Sequence, residues 1–435
     1  MGLQALRGTT DLVPSDLLRW SRVEHIAQRL ARLYGYQELR TPLIEDASLF
    51  LRSVGETTDI VQKEMFRFAD RGGQDIVLRP EGTAPIVRAY LEHSLHKTEG
   101  FAKLFYLGPM FRAERPQAGR YRQFHQYGVE AIGSSSPLVD VEVIVLCLHI
   151  LRDCGLQRSS LWLSSMGCRD DQRKLAERLR LTLLPLRGKL CHTCQGRFDR
   201  NVFRVLDCKS AECQALVADL MASERGLRPG SLESLCESCR LHFDEVRQEL
   251  RNAKIAFDDT RFFARGLDYY TRTVFEVRAE GLGAQDAVAA GGRYDHLVED
   301  LGGPSVGAVG FAAGIERVLL AAGHQAQPLP AASRRGVYLA VTQSDLLGQG
   351  FRFLQQLRQR GASGTMDYEA KSLKAQLREA DKAQCRFVAI LGASEMTQRA
   401  ITLKDLEQGS QETIAFDVFV ETLCERTVAE NSKSR

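Results

Sequence analysis

The chain has 435 residues, which is too long for a single hydrophobic core and predicts two or three domains. Hydrophobic residues make up 44% and charged residues 26% of it, as in ordinary globular proteins, and no signal-peptide core or membrane-spanning apolar run occurs. The formal net charge is only +3, so a polyanionic partner would have to be met by local basic patches. Eleven cysteines, an odd number, favour reduced thiols over a disulfide framework, and we expect a cytoplasmic protein.

The N-terminal part predicts a helix and then an extended segment. Pro14 and Ser15 open a helix whose apolar residues, from Val23 onwards, form one stripe. Pro42 then lies inside an apolar stretch, which is more typical of an edge strand or an interface than of a central strand.

A candidate ligand carboxylate lies just before the next predicted helix. After a hairpin that turns at Gly72 and Gly73, the sequence predicts a helix from Thr83, as its N-cap, through about His93. Glu81 lies immediately outside this helix. Its carboxylate either complements the positive end of the helix or faces the ammonium group of a ligand.

The sequence FRAERPQAGRYRQFHQYGVEAI, residues 111–132, predicts two strands joined by a basic loop. The chain turns at Pro116 and Gly119. The arginines of this stretch are Arg112, Arg115, Arg120 and Arg122. They form a cluster of like charges that is costly unless an anion lies among them. A hairpin with a solvated, charged tip is the alternative interpretation.

The returning strand of this hairpin carries a candidate binding pocket. Its period of two places Gln126, Gly128 and Glu130 on the face opposite to Tyr127 and Val129. A glycine between an amide and a carboxylate leaves a space lined by polar groups. Such a space suits a small polar ligand better than it suits packing.

Residues 164–257 differ from the rest because they are polar, helical in pattern and rich in cysteine pairs. The pairs Cys191-x2-Cys194 and Cys236-x2-Cys239 can supply four thiolates to a tetrahedral structural zinc. Cys208 and Cys213 compete as ligands, and a set of thiols without metal is the alternative.

Sequence with the character of a catalytic domain returns after residue 257. The sequence RGLDYYTRTVFE, residues 265–276, predicts a strand with Asp268, Tyr270, Arg272 and Val274 on one face.

Residues 307–321 predict a strand that passes into a helix on which Ala313, Gly314 and Arg317 share a face. Because its two neighbours have almost no bulk, Arg317 can reach a phosphate, although a single arginine more often forms a surface salt bridge.

The C-terminal part predicts a small α/β domain after a linker rich in Ala, Pro and Ser, residues 325–335. Strands at 336–341 and 386–392 alternate with helices near 345–360 and 369–384. A basic stripe formed by Lys371, Lys374, Arg378, Lys382 and Arg386 is either a contact for a nucleic-acid backbone or a solvated face.

Six motifs in order resemble the histidyl-tRNA synthetases, a family of class II aminoacyl-tRNA synthetases, across nearly the whole chain. They are RGTTDLVP at 7–14, LRPEGTAP at 78–85, FRAERPQAGRYRQFHQYGVE at 111–130, RGLDYYTRTVFE at 265–276, AAGGRYD at 289–295 and GFAAGIERV at 310–318. RGLDYY is peculiar to the histidine enzymes.

The resemblance implies an α+β fold, with an antiparallel-sheet catalytic domain, a helical insertion and a C-terminal α/β anticodon-binding domain. The implied boundaries are 1–163 and 258–324 for the catalytic domain, 164–257 for the insertion, 325–335 for the linker, 336–426 for the anticodon-binding domain and 427–435 for a disordered tail. The segment around Pro42 resembles the class motif found at a dimer interface, which implies a homodimer.

The implied reaction joins L-histidine to ATP as histidyl-adenylate and then transfers the histidyl group to the 3′ end of its tRNA. The residues implied for histidine are Glu81, Gly82, Thr83, Arg112, Gln126, Glu130, Arg265, Tyr269 and Tyr270. Those implied for ATP, which brings magnesium, are Arg112, Glu114, Arg120, Phe124 and Arg317, with Arg112 and Arg265 as the catalytic cations. Those implied for tRNA are Arg115, Gln117, Lys371, Lys374 and Arg378.

Three other functions compete with this interpretation. The family has a regulatory paralogue that partners ATP phosphoribosyltransferase and would keep the fold while losing ATP or tRNA groups, whereas Arg112, Arg265 and Arg317 are all present here. A class II enzyme for another amino acid conflicts with RGLDYY. A pure RNA-binding protein would leave the arrangement of Glu81 and Glu130 without a purpose.

Overall fold

The computed structural model describes residues 3–56, 58–206, 208, 210–223, 234–260, 267–280, 282, 286–325 and 334–432. The chain divides into two units, Met1–Ala326 and Gln327–Arg435, and each has its own hydrophobic core. Of the helices in these described ranges, none combines the length and the apolar composition needed to cross a bilayer.

The first unit contains strands and helices that alternate irregularly along the chain. Its strands are β1 Gln37–Glu38, β2 Ile44–Asp46, β3 Phe66–Ala69, β4 Asp75–Leu78, β5 Ala102–Phe111, β6 Gln123–Ile132, β7 Ser159–Ser165, β8 Thr271–Ala279, β9 Ala287–Arg293 and β10 Ala308–Gly314. Its helices are α1 Pro14–Leu33, α2 Ala47–Phe50, α3 Thr83–Glu92, α4 Leu95–Thr98, α5 Pro137–Asp153, α6 Arg169–Leu183, α7 His192–Arg200, α8 Phe203–Leu206, α9 Ala211–Ser223, α10 Glu237–Asn252, α11 Leu297–Asp300 and α12 Ile315–Gln325.

Within the described ranges, seven of these strands form one sheet in the order β1-β5-β6-β10-β9-β8-β7. All neighbouring pairs are antiparallel except β1 and β5. A smaller sheet has the order β2-β4-β3. Together with the flanking helices this architecture confirms the predicted α+β class.

The two faces of the large sheet are used differently, because successive side chains of a strand point to opposite faces. Tyr127, Val129 and Ala131 of β6 pack in a core with α1, α5, α10 and α12. Phe124 and Ile132 point to the other face, where they meet α3, α11 and a group of buried tyrosines. The helical layer therefore covers one face, and the opposite face is where polar side chains of β6 can meet a ligand.

The insertion consists of helices that belong to two different cores. Residues of α6, α7, α8 and α9 form a small separate core. In contrast, Phe243, Val246 and Leu250 of α10 pack into the main core. His242 of α10 also contacts the buried carboxylate of Asp140 in α5 at 2.6 Å. The insertion is thus anchored to the sheet domain through α10.

The second unit is an α/β domain. Its elements are β11 Val337–Val341, α13 Leu347–Gln359, β12 Gly364–Met366, α14 Leu373–Lys382, β13 Phe387–Leu391, α15 Ala393–Gln398, β14 Ala400–Asp405, β15 Gln411–Ala415 and α16 Phe416–Ser432. The sheet order is β12-β11-β13-β14-β15, parallel through β13 and antiparallel beyond it. The predicted strands and helices at 336–392 are confirmed, whereas β14, β15 and α16 were not predicted.

Three local predictions are wrong. The helix after Glu81 begins with Gly82, not Thr83, as its N-cap. The alternation predicted from Asp268 fails, because β8 begins at Thr271 and Arg272 adopts a left-handed φ of 45° beside a register shift. The tail predicted to be disordered from residue 427 continues α16 as far as Ser432, since this helix packs Leu423 into the core of its unit.

Candidate active site

Glu81 caps a helix and lines a cavity at the same time. Its two carboxylate oxygens accept hydrogen bonds from the backbone N–H of Thr83 at 2.7 Å and of Ala84 at 2.9 Å. Gly82 occupies the N-cap position, and Glu81 supplies the capping side chain that was predicted from Thr83. Burial raises the pKa of Glu81, and the two backbone N–H groups oppose that shift. A carboxylate has about four lone-pair sites, so two remain for a ligand in the cavity.

Glu130 lies at the bottom of the same cavity and is fully buried. It accepts hydrogen bonds from the hydroxyl of Thr83 at 2.7 Å and from that of Tyr294. A Cβ at Gly310 on the neighbouring strand would lie 1.8 Å from Glu130 Oε2, so only glycine leaves room for this carboxylate. Burial raises the pKa of Glu130 to about 8.

Tyr106 fills the space that was predicted to lie open at Gly128. In the β5–β6 register Tyr106 pairs with Gly128, and a Cβ there would lie 2.5 Å from the tyrosine ring and hydroxyl. Gly82 approaches the same ring from the helix side, where a Cβ would lie 2.3 Å from it. The two glycines therefore make room for an aromatic wall. The cavity lined by Gln126 and Glu130 is bounded by the side chain of Tyr106 and does not extend down to Gly128.

These groups form a closed pocket on the face of the sheet opposite to the helical layer. Its polar and aromatic lining is Glu81, Thr83, Tyr106, Arg112, Gln126, Glu130, Tyr269, Tyr270 and Tyr294. The rings of Tyr269 and Tyr270 meet edge to face at 4.9 Å, and Tyr269 meets Tyr294 at 5.7 Å. A pocket with two buried carboxylates and several phenols can bind a small, flat ligand that carries hydrogen-bond donors.

An open cleft lies beside the closed pocket and is lined by cations. Arg112, Glu114, Arg120, Phe124 and Arg317, which were predicted to bind ATP, all line it. The guanidinium of Arg112 lies over the ring of Phe124 at 5.2 Å, and Arg120 donates to Glu114 at 3.0 Å. Three guanidinium groups around one cleft provide the countercharge that a polyphosphate needs.

Arg317 is held at the far side of the cleft by the start of α12. Its Nε donates to the carbonyl of Ala287 at 2.7 Å. A Cβ at Gly314 would lie 3.7 Å from the Arg317 side chain, so Gly314 does lie beside this arginine. The predicted shared helix face is wrong, because Ala313 and Gly314 end strand β10 and the helix begins at Ile315. Burial and the neighbouring Arg120 both lower the pKa of Arg317. An anion between these arginines would relieve the repulsion.

The closed pocket and the open cleft meet at Arg112 and Gln126, which line both. Arg112 Nε donates to the carbonyl of Pro80 at 3.0 Å, which fixes the guanidinium at the junction. The buried Oε1 of Gln126 has no hydrogen-bond partner among the described residues. An unpaired buried acceptor is costly, so its position at the junction indicates that a ligand donates to it.

Other predicted site residues lie elsewhere. Arg265 falls outside the described residues. Arg115 and Gln117 are exposed on the hairpin loop and line neither cavity. In the second unit, Lys374 and Arg378 are exposed on α14. Lys371 instead lies among the carboxylates of Asp367, Glu369 and Glu379 at 3.6, 3.5 and 3.2 Å, so its charge is already compensated.

The cysteine pairs do not combine as predicted. Cys191 and Cys194 group with Cys208 and Cys213, whereas Cys236 and Cys239 group with Cys168 and Asp171. The predicted zinc site of Cys191, Cys194, Cys236 and Cys239 is therefore wrong. The physical reason is that α7, α8 and α9 fold back on one another, while Cys236 opens α10 beside the start of α6.

Two tyrosines of the closed pocket were not predicted from the sequence. Tyr106 stands in a run that looks like an ordinary buried strand, and only the register that pairs it with Gly128 reveals its role. Tyr294 belongs to the motif AAGGRYD, in which no residue was predicted to bind a ligand, and its hydroxyl reaches Glu130 from across the sheet. The pairing of a glycine with an aromatic residue on the next strand is the signal that could have identified Tyr106.

Comparison with known proteins gives consistent matches over nearly the whole chain. The sequence profile described as Histidyl-tRNA synthetase matches residues 8–318, and that described as Anticodon binding domain matches residues 337–426. A histidine–tRNA ligase from Desulforamulus reducens is 44% identical over 97% of this chain and 99% of its own length. One from Moorella thermoacetica is 45% identical over 95% and 96%, respectively.

Solved structures agree with these sequence matches. The apo histidyl-tRNA synthetase of S. aureus has a TM-score of 0.79 and 31% identity, and the match covers 97% of this chain and 100% of that one. A Bacillus halodurans protein described as an ATP phosphoribosyltransferase regulatory subunit/histidyl-tRNA synthetase has a TM-score of 0.64 at 20% identity, and covers 90% of this chain and 99% of that one. The second likeness shows a shared fold only.

An antiparallel sheet that carries a closed polar pocket beside an arginine-lined cleft, followed by an anticodon-binding domain, defines an aminoacyl-tRNA synthetase. The extent and identity of the matches then specify the amino acid. This chain belongs to the histidyl-tRNA synthetase family.

Proposed function

We propose that this protein is a histidine–tRNA ligase that activates L-histidine with ATP and transfers it to the 3′ end of its tRNA. The observation that carries the proposal is the junction of the two cavities at Arg112 and Gln126. A small amino acid in the closed pocket and a nucleotide in the open cleft would bring their reacting groups together at this junction.

The closed pocket suits histidine at both ends. The free lone pairs of Glu81 attract the ammonium group. Glu130 and the unpaired Oε1 of Gln126 can accept from the two N–H groups of a protonated imidazole. Tyr269, Tyr270 and Thr83 supply the aromatic and hydroxyl surroundings, and Gly82 leaves room for the tyrosine wall. A pocket that hydrogen-bonds a polar side chain rejects isosteres lacking it by about 10⁴- to 10⁵-fold.

The open cleft suits the triphosphate and adenine of ATP. We assign Arg112 to the α-phosphate, Arg317 to the γ-phosphate and adenine, and Phe124 to stacking on the adenine ring. Glu114 and Arg120 complete the nucleotide contacts, and magnesium enters with the nucleotide as part of the substrate. The resemblance adds Arg265 as a second cation near the α-phosphate and the histidine carboxylate.

In the activation step the histidine carboxylate attacks the α-phosphorus, a new P–O bond forms, and pyrophosphate leaves with the electrons of the broken P–O bond. Both reactants are anionic, so catalysis depends on positioning and countercharge. Arg112 is placed for both tasks, because Pro80 and Phe124 hold its guanidinium at the junction. In the second step a ribose hydroxyl of the tRNA attacks the acyl carbon and AMP leaves.

The tRNA contacts are proposed from exposure and charge. Arg115 and Gln117 on the exposed hairpin loop are suited to the acceptor end. Lys374 and Arg378, with Lys382, form an exposed basic stripe on α14 that suits the anticodon stem. Lys371 contributes less, since three carboxylates surround it.

A homodimer is proposed from the resemblance around Pro42. The edge strand β2 follows Pro42, and Leu43 and Ile44 are 40% and 51% exposed, which suits burial against a second copy. Light scattering of the full chain should give twice the mass of one chain, and a monomer at micromolar concentration would contradict the proposal.

The experiment that tests the activity is pyrophosphate exchange with each amino acid in turn, followed by charging of tRNA. Exchange that requires histidine, with transfer to histidine tRNA, supports the proposal. A regulatory protein would bind histidine without exchange, and a ligase for another amino acid would exchange with that amino acid instead.

A further inference from the structure

Four cysteine side chains of the insertion converge on one point. Cys191 is the N-cap of α7 and Cys194 lies in its first turn, while Cys208 follows α8 and Cys213 lies in the first turn of α9. Their four Sγ atoms all lie within 4.8 Å of one another. Residues in and next to three helices thus bring their sulfurs together at one point of the small core of the insertion.

The spacing of the sulfurs fits a tetrahedral metal and not a disulfide. Cys191 Sγ and Cys208 Sγ are 3.8 Å apart. Four thiolates around a zinc ion, with Zn–S distances of about 2.3 Å, stand roughly 3.8 Å from one another, because a tetrahedron edge is about 1.6 times the centre-to-corner distance. All four cysteines are free thiols.

Backbone N–H groups point at these sulfurs as well. The N–H of Cys191 donates to Cys213 Sγ at 3.2 Å, and that of Ser210 donates to Cys208 Sγ at 3.4 Å. Hydrogen bonds of this kind orient thiolate ligands around a metal and complement their charge. Cys194 and Cys213 are fully buried, so the cluster is shielded from water on that side.

The second group, formed by Cys168, Asp171, Cys236 and Cys239, is explained by the capping of two helices. Asp171 accepts from the backbone N–H of Cys236 at 3.0 Å and of Cys168 at 3.3 Å. Its carboxylate is therefore already used to cap α6 and α10. In the first group, by contrast, all four donors are thiols, and the two backbone N–H groups reach two different sulfurs.

We propose that Cys191, Cys194, Cys208 and Cys213 bind one zinc ion that stabilises the fold of the insertion. The core formed by α6 to α9 is small, and small cores are commonly reinforced by a metal or a disulfide. A tetrahedral set of four thiolates is the donor set of structural zinc sites. The proposal is independent of the proposed ligase activity.

The proposed zinc site lies next to ion pairs that join the insertion to the sheet domain. The segment between Cys194 and Cys208 carries Arg197, which pairs with Asp59 at 2.9 Å, and Arg204, which pairs with Asp268 at 3.4 Å. Asp268 immediately precedes Tyr269 of the closed pocket. A metal that fixes both ends of this segment would hold the insertion against the pocket wall.

The proposal is tested by zinc analysis of the full-length protein after washing with a weak chelator. We expect about one equivalent per chain in the wild type, and its loss in the double variant Cys194→Ser with Cys208→Ser. The matched control, Cys236→Ser with Cys239→Ser, also removes two thiols but should retain the equivalent held by the first cluster. A wild type without zinc, or a Cys194/Cys208 variant with as much zinc as the wild type, would overturn the proposal.

A second measurement avoids variants that fail to fold. Wild-type protein is titrated with a thiol reagent while released zinc is followed with a metallochromic dye, and the modified cysteines are identified by mass spectrometry. Zinc release should follow modification of the four clustered cysteines. Release that follows Cys236 and Cys239 instead, or full modification of the cluster without release, would contradict the site.

Discussion

The closed pocket and the open cleft lie side by side but differ in charge, burial and chain origin. The pocket is built around Glu81 and Glu130, both almost completely buried, with phenol rings packed about them. The cleft is lined by arginines and is more accessible to solvent. The difference teaches that one sheet face can carry two unlike environments: buried carboxylates suit a small ligand with hydrogen-bond donors, and arginines suit a polyanion.

Arg112 lies where the closed pocket and the open cleft meet. It is the arginine that the pocket and the cleft share among the described residues, and it is held by the Pro80 carbonyl and the ring of Phe124. Substitutions in the pocket should therefore affect histidine, those in the cleft should affect ATP, and a change at Arg112 should affect the step that joins them.

The largest effect is expected from Arg112→Ala. Loss of a preorganised cation at the position where negative charge develops should lower histidine-dependent pyrophosphate exchange, as kcat/KM, by about 10²- to 10³-fold. Arg115→Ala, which removes an exposed arginine of the same loop, is the matched control and should leave exchange almost unchanged. If the two variants lose the same activity, the junction role of Arg112 is wrong.

Glu130→Gln should have the next largest effect, and this effect should be limited to the binding of histidine in the closed pocket. A positively charged ligand favours the ionised form of Glu130 despite the raised pKa of the free protein, and replacing a carboxylate that accepts from such a ligand costs about 1.5–3 kcal/mol. The KM for histidine should therefore rise by roughly 10- to 100-fold while that for ATP changes little. Glu114→Gln, on the wall of the cleft, should raise the KM for ATP and leave the KM for histidine almost unchanged. Equal changes in both KM values for Glu130→Gln would show that the two regions are not separate.

Gln126→Ala should have a smaller effect, because a neutral hydrogen bond contributes only about 0.5–1.5 kcal/mol. We expect the KM for histidine to rise by roughly 2- to 10-fold and to change more than that for ATP. Phe124→Ala is the control for the cleft and should raise the KM for ATP instead. An unchanged KM for histidine would remove Gln126 from the pocket.

The last prediction concerns stability and not catalysis, and it is a dependence on pH. Burial raises the pKa of Glu130 from 4.5 to about 8, so the native state keeps a proton that the unfolded chain releases. The free energy of unfolding contributed by this group therefore falls as the pH rises from 4.5 towards 8. Glu130→Gln cannot lose the proton, so the melting temperature of the wild type should fall relative to this variant by a few degrees. If the melting temperatures of the wild type and of Glu130→Gln changed equally between about pH 5 and pH 8, the raised pKa would be contradicted.

Sequence reasoning was most successful where a site is built from neighbouring residues. The hairpin of β5 and β6 brings Arg112, Glu114, Arg120 and Phe124 into one cleft, and their order in the motif already indicated this. It was less successful where partners come from distant strands. Tyr106 and Tyr294 were missed because their roles depend on strand register and on a contact across the sheet.

The cysteines illustrate the same limit. Spacing alone joined the two C-x2-C pairs, because each looks like half of a zinc site. In the fold, the helices between them bring Cys208 and Cys213 to the first pair and leave the second pair beside Asp171. Which thiols meet is decided by helix packing, and a sequence pattern does not contain that information.

The most direct test of the central claim is a crystal structure of the full chain with a non-hydrolysable analogue of histidyl-adenylate. The account predicts the imidazole between Gln126 and Glu130, the ammonium group against Glu81, and the phosphate on Arg112 with the adenine at Phe124. An analogue whose imidazole occupies the cleft, or whose phosphate lies away from Arg112, would contradict it.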